Sequence, residues 1–220
     1  MRELFHFDIE TTGSHPNWES LRLSDERGAE LFRSKFRKMK WDEKYTSIDE
    51  AYLDNAPIVS TWGKIVCISF GFIDGEEIKV RSFYGDDERD IVHSFNELLK
   101  KIQAKNFNLA GFRIKHFDIP WILHKLHKCD IVPADIISHY DKKPWDMRIT
   151  DLYDDWKGSF AWSPSFDEMC YELGIPSPKE SISGKDVHTT YWNGGIEKIK
   201  EYCEGDVRAS IKSGLKLYRI

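Results

Sequence analysis

Hydrophobic and polar positions alternate in residues 5–10, which read FHFDIE. Successive side chains of a strand point to opposite faces, so this pattern predicts a strand with apolar side chains on one face and Asp8 and Glu10 on the other. Gly13 ends the strand after two threonines. At a rise of about 3.3 Å per residue, the Cα atoms of the two acids lie about 6.6 Å apart. The carboxylates either face water at a sheet edge or converge on a pair of cations.

Further along the chain, alternation and helical periodicity predict the elements of an α/β fold. Asp74-Gly75 separates two alternating stretches and is a turn sequence, which indicates a β-hairpin. A strand, a hairpin, a helix and another strand in this order predict a mixed β-sheet flanked by helices. The predicted elements are a hairpin at 64–73 and 77–84, a helix that begins near Asp86, a strand at 107–112, a helix from Ser165 to about Leu173, and a terminal helix at 196–218.

Residues 14–60 lack this compact pattern and are predicted to be an insertion after the first strand. Within it, residues 23–41 have helical periodicity, with basic side chains interleaved with aromatic ones. Such a helix either follows a phosphate backbone and stacks bases, or presents a solvated basic face above packed aromatic side chains. Long excursions from compact domains are often lids or binding loops, which is the argument for the first interpretation. Both remain open.

Two more acids have a structural and a chemical interpretation each. Asp118 precedes Pro120 at the start of a predicted helix, where it is either an N-cap or a third carboxylate of a metal site. Tyr202 and Asp206 lie four residues apart on the terminal helix and therefore share one face beside its apolar stripe. A carboxylate at the edge of a core needs a partner, so Asp206 indicates an ion pair, a hydrogen bond to the tyrosine, or a metal site.

The composition favours one cytoplasmic domain. The 220 residues, 40% of them hydrophobic, suffice for one core, so a single domain spanning 1–220 is predicted. No apolar run approaches the roughly 18 residues of a membrane span, and no signal peptide is expected before the first strand. Four scattered cysteines without CxxC spacing predict reduced thiols in the cytoplasm. The net charge of -5 argues against a broad basic surface for nucleic acid, although acids that bind metal contribute to that charge.

Three short motifs lie far apart in the chain. They are Phe7-Asp8-Ile9-Glu10-Thr11-Thr12-Gly13, Phe117-Asp118-Ile119-Pro120 and Tyr202-Cys203-Glu204-Gly205-Asp206. Together they resemble the motifs of the DEDD superfamily of 3′-to-5′ exonucleases, which have a ribonuclease H-like fold. A tyrosine four residues before the last aspartate resembles the DEDDy branch, and Glu201 stands where the other branch has a histidine.

More narrowly, the chain resembles the predicted stand-alone exonucleases related to the proofreading domain of family B DNA polymerases. The likeness spans nearly the whole chain, and the order and spacing of its motifs make it specific. In place of the usual asparagine before the second motif, this sequence has Arg113, which concerns substrate positioning more than metal binding. The further similar stretches are Lys143-Pro144-Trp145-Asp146, Asp151-Leu152, Phe166-Asp167-Glu168-Met169-Cys170 and Leu173-Gly174-Ile175-Pro176-Ser177-Pro178-Lys179.

This resemblance implies a metal-dependent 3′-5′ exonuclease that hydrolyses the phosphodiester bonds of single-stranded DNA by a two-metal mechanism. Hard oxygen ligands suit Mg²⁺ or Mn²⁺, and two such ions are the expected cofactors. Tyr202 is expected to orient the attacking water, because a phenol with a pKa near 10 is a poor base at neutral pH. The expected metal ligands are Asp8, Glu10, Asp118 and Asp206, and the expected substrate-binding residues are Thr11, Thr12 and Phe117.

Two alternatives remain open at this point. The same four acids serve an RNA-directed 3′-5′ exonuclease equally well, because the sequence shows no group that would recognise a 2′-hydroxyl. A non-catalytic nucleic-acid-binding module on the same fold is the second alternative, for which Arg113 is the sequence hint. The expected partner is therefore single-stranded DNA or RNA, and the sequence does not define an oligomeric state.

Overall fold

The computed structural model describes residues 3–105, 107–138, 142–143, 146–176 and 182–218. Pro144, Trp145 and residues 177–179 of the quoted motifs lie outside the described residues. Within the described ranges, five strands form one sheet in the order β3-β2-β1-β4-β5. They are β1 (Leu4–Gly13), β2 (Gly63–Asp74), β3 (Glu77–Tyr84), β4 (Asn108–Gly111) and β5 (Ile149–Asp151). The helices are α1 (Trp18–Ser24), α2 (Glu26–Lys38), α3 (Ile48–Asn55), α4 (Glu88–Ala104), α5 (Asp118–Lys128), α6 (Leu152–Lys157), α7 (Phe166–Glu172), α8 (Val187–Trp192) and α9 (Ile196–Tyr218).

β1 lies in the middle of the sheet and determines its mixed character. It pairs antiparallel with β2 and parallel with β4, and β5 continues the parallel side. The predicted hairpin is formed by β2 and β3, with Gly75 at φ +63 in the turn, a left-handed conformation that glycine adopts readily. The prediction of a mixed sheet flanked by helices is confirmed.

The two faces of β1 meet different helices. Its apolar side chains Phe5, Phe7 and Ile9 are buried in the main core, together with side chains of α4 and α5. Burying one such side chain contributes about 1.5 to 3 kcal/mol, which fixes the orientation of the strand. The long helix α9 packs against β1 and β2 and carries a second apolar cluster with Cys67 of β2 and Cys203. The acidic face of β1 therefore faces α9.

The inserted segment folds into helices with an apolar cluster of their own. The helix expected at 23–41 is α2, at 26–38. It begins after Asp25 because the carboxylate of this residue accepts a hydrogen bond from the Gly28 N–H at 2.8 Å, and α1, which precedes it, was not predicted. Phe32 is fully buried, and Phe36 and Trp41 pack against the same cluster. The aromatic side chains of α2 thus point inward, and the interpretation as a basic face above packed aromatic side chains is the one that describes this helix.

Two further observations concern cellular location. Among the described residues, α9 is the longest helix, and neither it nor any other is apolar enough to cross a membrane. The four cysteines are free thiols, three of them buried. The cytoplasmic location stays a prediction.

Candidate metal centre

β1 and β4 separate beside the acidic end of β1, and Asp118 lies at that point. The parallel pairing of the two strands ends at His6 and Ala110. Beyond it, the Ile9 N–H donates a hydrogen bond to Asp118 Oδ1 at 3.0 Å. Asp118 is the first residue of α5 and Phe117 is its N-cap residue, so the interpretation of Asp118 as the N-cap is wrong. The buried carboxylate instead joins the start of α5 to β1.

α9 brings three side chains to the acidic face of β1. Tyr202 and Asp206 lie one helical turn apart and are 7% and 9% exposed. Between them, the thiol of Cys203 lies 3.5 Å from both the backbone oxygen and Oδ2 of Asp8 and donates to this residue. The ligand atoms of Asp8, Glu10 and Cys203 all lie within 4.8 Å of one another. The first and third motifs therefore meet in one cluster, although about 190 residues separate them.

Burial and mutual repulsion raise the pKa values of the acids in this cluster. Burial raises the pKa of Asp8 well above its ordinary range, and the charges of Asp118, Asp206 and Glu10 raise it further. The pKa of Glu10 is raised for the same reasons, burial first. Burial also raises the pKa of Asp118 to about 8, although the hydrogen bond from the Ile9 N–H opposes the shift. The four carboxylates are thus close enough to repel one another, and the metal-free cluster retains protons at neutral pH.

The donor atoms of the cluster fit hard divalent cations. Carboxylate oxygens are the ligands that Mg²⁺ and Mn²⁺ prefer, and a bound cation stabilises the charged form that burial disfavours. Cys203 adds a softer sulfur donor beside Asp8. Cys203 belongs to the third motif, but no sequence pattern assigns its thiol to the cluster.

The hydroxyl group of Tyr202 is turned toward the acids. Burial raises the pKa of this phenol above its ordinary value, and the charge of Asp206 and a hydrogen bond to its carboxylate act in the same direction. The phenol is therefore neutral and donates to Asp206. Its oxygen can still accept a hydrogen bond from a water molecule and so orient it, but a neutral phenol cannot remove the proton of that water.

The hydroxyl groups of Thr11 and Thr12 are used within the protein. Thr11 donates to the Pro57 carbonyl oxygen at 2.5 Å, and Thr12 donates to His188 Nδ1 at 2.8 Å. The same nitrogen accepts a hydrogen bond from the Gly13 N–H at 3.1 Å. These bonds hold the end of β1 to the inserted segment and to α8. Because these hydroxyl groups already have partners within the protein, the expected contact with a nucleotide would involve the backbone groups of the two threonines.

Sequence reasoning missed His188. Its Nε2–H donates to the Pro16 carbonyl oxygen at 3.0 Å, which leaves Nδ1 as the acceptor for the end of β1. Burial lowers the pKa of the imidazole, so the ring stays neutral. A Cβ at Gly13 would lie only 2.9 Å from Cε1 of this ring, which accounts for a glycine in the motif. A single histidine 175 residues from Gly13 carries no sequence signal for such a contact.

The loop between β4 and α5 is held by another acid whose role the sequence left open. Asp151 accepts hydrogen bonds from the backbone N–H groups of Arg113 at 2.8 Å and Lys115 at 2.9 Å. Arg113 has φ +63, a conformation that asparagine tolerates better than arginine does. Phe117 ends the loop, partly buried, with its ring 5.8 Å from that of Trp121. The structure brings the four predicted metal ligands together. Phe117 directly precedes one of them, Asp118, and packs against the main core.

Comparisons with known proteins concern the family and the fold of the chain. The model of one protein family, described as predicted 3'-5' exonuclease related to the exonuclease domain of PolB, matches residues 55–210. This range contains Asp118, Tyr202 and Asp206, whereas Asp8 and Glu10 precede it. No curated protein matches the chain.

Two solved structures that match the chain are a polymerase and a nuclease. The family B DNA polymerase from the hyperthermophilic archaeon Pyrobaculum calidifontis matches with a TM-score of 0.60 and 16% identity over 99% of this chain and 25% of the polymerase. E. coli Exonuclease I in complex with a 5cy-dA13 oligonucleotide matches with a TM-score of 0.46 and 14% identity over 98% of this chain and 41% of that one. The chain thus spans a quarter of the polymerase, and the likeness to it confirms the expected ribonuclease H-like fold.

Proposed function

Because the chain belongs to the family of predicted 3'-5' exonucleases related to the exonuclease domain of PolB, we propose that it removes nucleotides from the 3′ end of single-stranded DNA. Hydrolysis of the terminal phosphodiester bond depends on two divalent ions, Mg²⁺ or Mn²⁺. The proposed ligands of these ions are the carboxylates of Asp8, Glu10, Asp118 and Asp206.

The convergence of these carboxylates from β1, α5 and α9 is the observation that carries the proposal. They come from three separate elements, yet burial and the neighbouring charges raise the pKa values of Asp8 and Glu10 together. An uncompensated cluster of buried acids costs stability, which makes a purely structural role an unfavourable explanation. Two divalent ions held there would lower the pKa of an attacking water and stabilise the leaving 3′ oxygen.

The protein's own groups have separate tasks around this centre. Asp118 is oriented by the Ile9 N–H, so its carboxylate is fixed relative to Asp8 before any ligand binds. Tyr202, neutral and hydrogen-bonded to Asp206, holds the attacking water in line with the scissile bond. The backbone at the end of β1, held in place by internal hydrogen bonds, is the proposed contact for the terminal nucleotide.

Digestion of an end-labelled DNA strand tests this proposal. With a label at the 5′ end and Mn²⁺ present, the native protein is expected to produce a ladder of strands shortened one nucleotide at a time from the 3′ end. Asp8→Ala and Asp206→Ala should abolish this ladder while circular dichroism shows an intact fold, because each removes a proposed metal ligand. Asp42→Ala, which changes an exposed acid outside the cluster, is the matched control and should digest normally.

An RNA strand of the same sequence decides between the two polymers. Faster digestion of DNA supports the proposal, and faster digestion of RNA would favour the RNA-directed alternative. Undiminished digestion by both alanine variants would contradict the assignment of the site. Binding of DNA without any metal-dependent cleavage by the native protein would favour a non-catalytic module.

A further inference from the structure

The connection between α6 and α7, together with α7 itself, carries the most exposed aromatic side chains of the described chain. Phe160 is 74% exposed, Trp162 is 63% exposed and Tyr171 is 86% exposed. With Trp156 they line a groove of about 930 Å³, which we name the aromatic groove. Exposed apolar surface of this kind is costly to keep in water and usually marks a binding surface. The core and the metal centre described above do not use these side chains.

A second, more polar pocket adjoins the aromatic groove. It measures about 450 Å³, and its cationic groups are Arg113 and Lys157, beside His116. Lys157 lines the aromatic groove as well, so the two cavities are neighbours. The Arg113 guanidinium lies 4.1 Å from the centroid of the Tyr153 ring, and Lys157 Nζ lies 5.7 Å from it. We name this pocket the basic pocket; its one acid, Asp154, is paired with His116 and Lys115.

One tight loop connects Arg113 of the basic pocket to Asp118 of the metal centre. The Arg113 carbonyl oxygen accepts a hydrogen bond from the Phe117 N–H at 3.0 Å, and Phe117 directly precedes Asp118. On the other side, Arg113 donates to Ser163 Oγ, and Tyr153 shares a hydrogen bond of 2.9 Å with the same hydroxyl. Ser163 follows Trp162 in the sequence. The basic pocket and the aromatic groove, which share Lys157, therefore form one surface, and the loop from Arg113 to Phe117 connects it to Asp118 of the metal centre.

We propose that this surface binds the part of a single-stranded DNA substrate that lies beyond the nucleotide being removed. Phosphates contact Arg113 and Lys157 in the basic pocket, and bases stack on Phe160 and Trp162 in the aromatic groove. Aromatic side chains next to cationic ones are the usual means of binding a single strand without reading its sequence. The inference rests on the proposed nuclease function and adds the location of the bound strand.

The distribution of charge favours this orientation of the strand. The acids that line the aromatic groove, Asp167, Glu168 and Glu172, all belong to α7. Lys157, in contrast, ends α6 on the opposite side of the connection. A strand that keeps its phosphates on the α6 side and its bases in the groove avoids repulsion by the α7 carboxylates. Among the described residues, the other basic surface, on α2, exposes less aromatic surface, because Phe32 is buried and Phe36 is partly buried against the aromatic cluster of the inserted segment.

The double variant Phe160→Ala/Trp162→Ala tests the stacking surface. Both side chains are mostly exposed, so their removal leaves the fold intact. Affinity is measured by fluorescence anisotropy with a labelled thymidine strand of about 16 nucleotides and with the matching uridine strand. The DNA affinity should fall at least about tenfold, since each stacked base contributes about 1 to 3 kcal/mol. Val132→Ala, at an 80% exposed apolar residue between α5 and β5, is the control and should bind normally.

Lys157→Ala tests the basic pocket separately. Loss of one phosphate contact should reduce the slope of log affinity against log salt concentration by about 0.7 for a single strand. The groove variant should leave this slope unchanged, because it removes stacking and not charge.

In digestion assays, the groove variant should lower the ratio of kcat/KM for the long strand to kcat/KM for a dinucleotide, which is too short to reach the groove.

The outcomes separate this inference from the proposed function. If the native protein binds the DNA strand without cleaving it and the groove variant binds more weakly, the proposed function fails and the strand surface stands. If the native protein digests DNA and the groove variant binds and digests the long strand as well as the native protein does, the inference is wrong. Weakened binding of the uridine strand alone would also contradict it, because the surface would then belong to an RNA substrate.

Discussion

The buried acid cluster makes the stability of the metal-free protein depend on pH, and Asp118 allows the size of the effect to be worked out. Its pKa is raised from 3.8 to about 8 by burial. Between these values the folded protein holds a proton that the unfolded chain has released. Because the folded state binds more protons than the unfolded one, the free energy of unfolding falls as the pH rises through this window. Below the pKa of this carboxyl in the unfolded chain, both states hold the proton, and the contribution of Asp118 to the free energy of unfolding is fully present.

The magnitude follows from the proton linkage. One group changes the free energy of unfolding by about 1.4 kcal/mol per pH unit, so Asp118 accounts for about 3 kcal/mol between about pH 5 and about pH 7. Asp118→Asn removes this charge and retains an oxygen that accepts from the Ile9 N–H. The pH dependence of this variant should therefore be flatter than that of the native protein by about this amount. Asp8 and Glu10, whose pKa values are also raised, contribute further dependence in the same direction.

Urea unfolding in the presence of a chelator, followed by circular dichroism at several pH values, measures these slopes. Asp42→Asn, at an exposed acid, should keep the native slope. Saturating Mn²⁺ near pH 7 should restore stability to the native protein, by about 2.7 kcal/mol at a hundredfold excess over Kd. Equal slopes for the native protein and Asp118→Asn in chelator would refute the reasoning that burial and repulsion keep this carboxyl protonated.

Two further substitutions test neighbouring parts of the site. Tyr202→Phe should retain Mn²⁺ binding, since the phenol is not a proposed ligand. It should lower kcat by about a hundredfold with a smaller change in KM, because the attacking water is no longer positioned. An unchanged kcat in a steady-state digestion assay would argue against that role. His188→Ala should lower the free energy of unfolding by about 1 to 3 kcal/mol, because it leaves the buried Gly13 N–H without its acceptor; chemical unfolding measures this, and a loss below about 0.5 kcal/mol would count against the contact.

Local signals were sufficient for most of the elements. The hairpin was predicted because Asp74-Gly75 supplies the residue that a tight turn with positive φ requires. The helix that begins after Ser165 was predicted from a capping box, and both of its hydrogen bonds, between Ser165 and Glu168, are present. These features involve residues a few positions apart, so the sequence contains them directly. The same kind of signal at Asp25 was overlooked, which is why α2 was predicted to begin at Leu23 and not after Asp25.

Contacts between distant segments were less accessible. The sequence left Asp118 with two interpretations because its hydrogen-bond partner, Ile9, lies 109 residues away. The resemblance to a nuclease family grouped the four acids, but it did not reveal that hydroxyl groups of Thr11 and Thr12 are used by internal acceptors. His188 was missed for the same reason: burial and tertiary contacts give a residue such a role, and neither has a local pattern.

The central claim is that four carboxylates hold two divalent ions between β1, α5 and α9. Crystals of the protein soaked in Mn²⁺ and measured at the manganese absorption edge test it most directly. Two anomalous peaks are expected about 3.5 to 4 Å apart, within bonding distance of oxygens of Asp8, Glu10, Asp118 and Asp206. Absence of both peaks at saturating Mn²⁺, or peaks bound elsewhere on the chain, would contradict it.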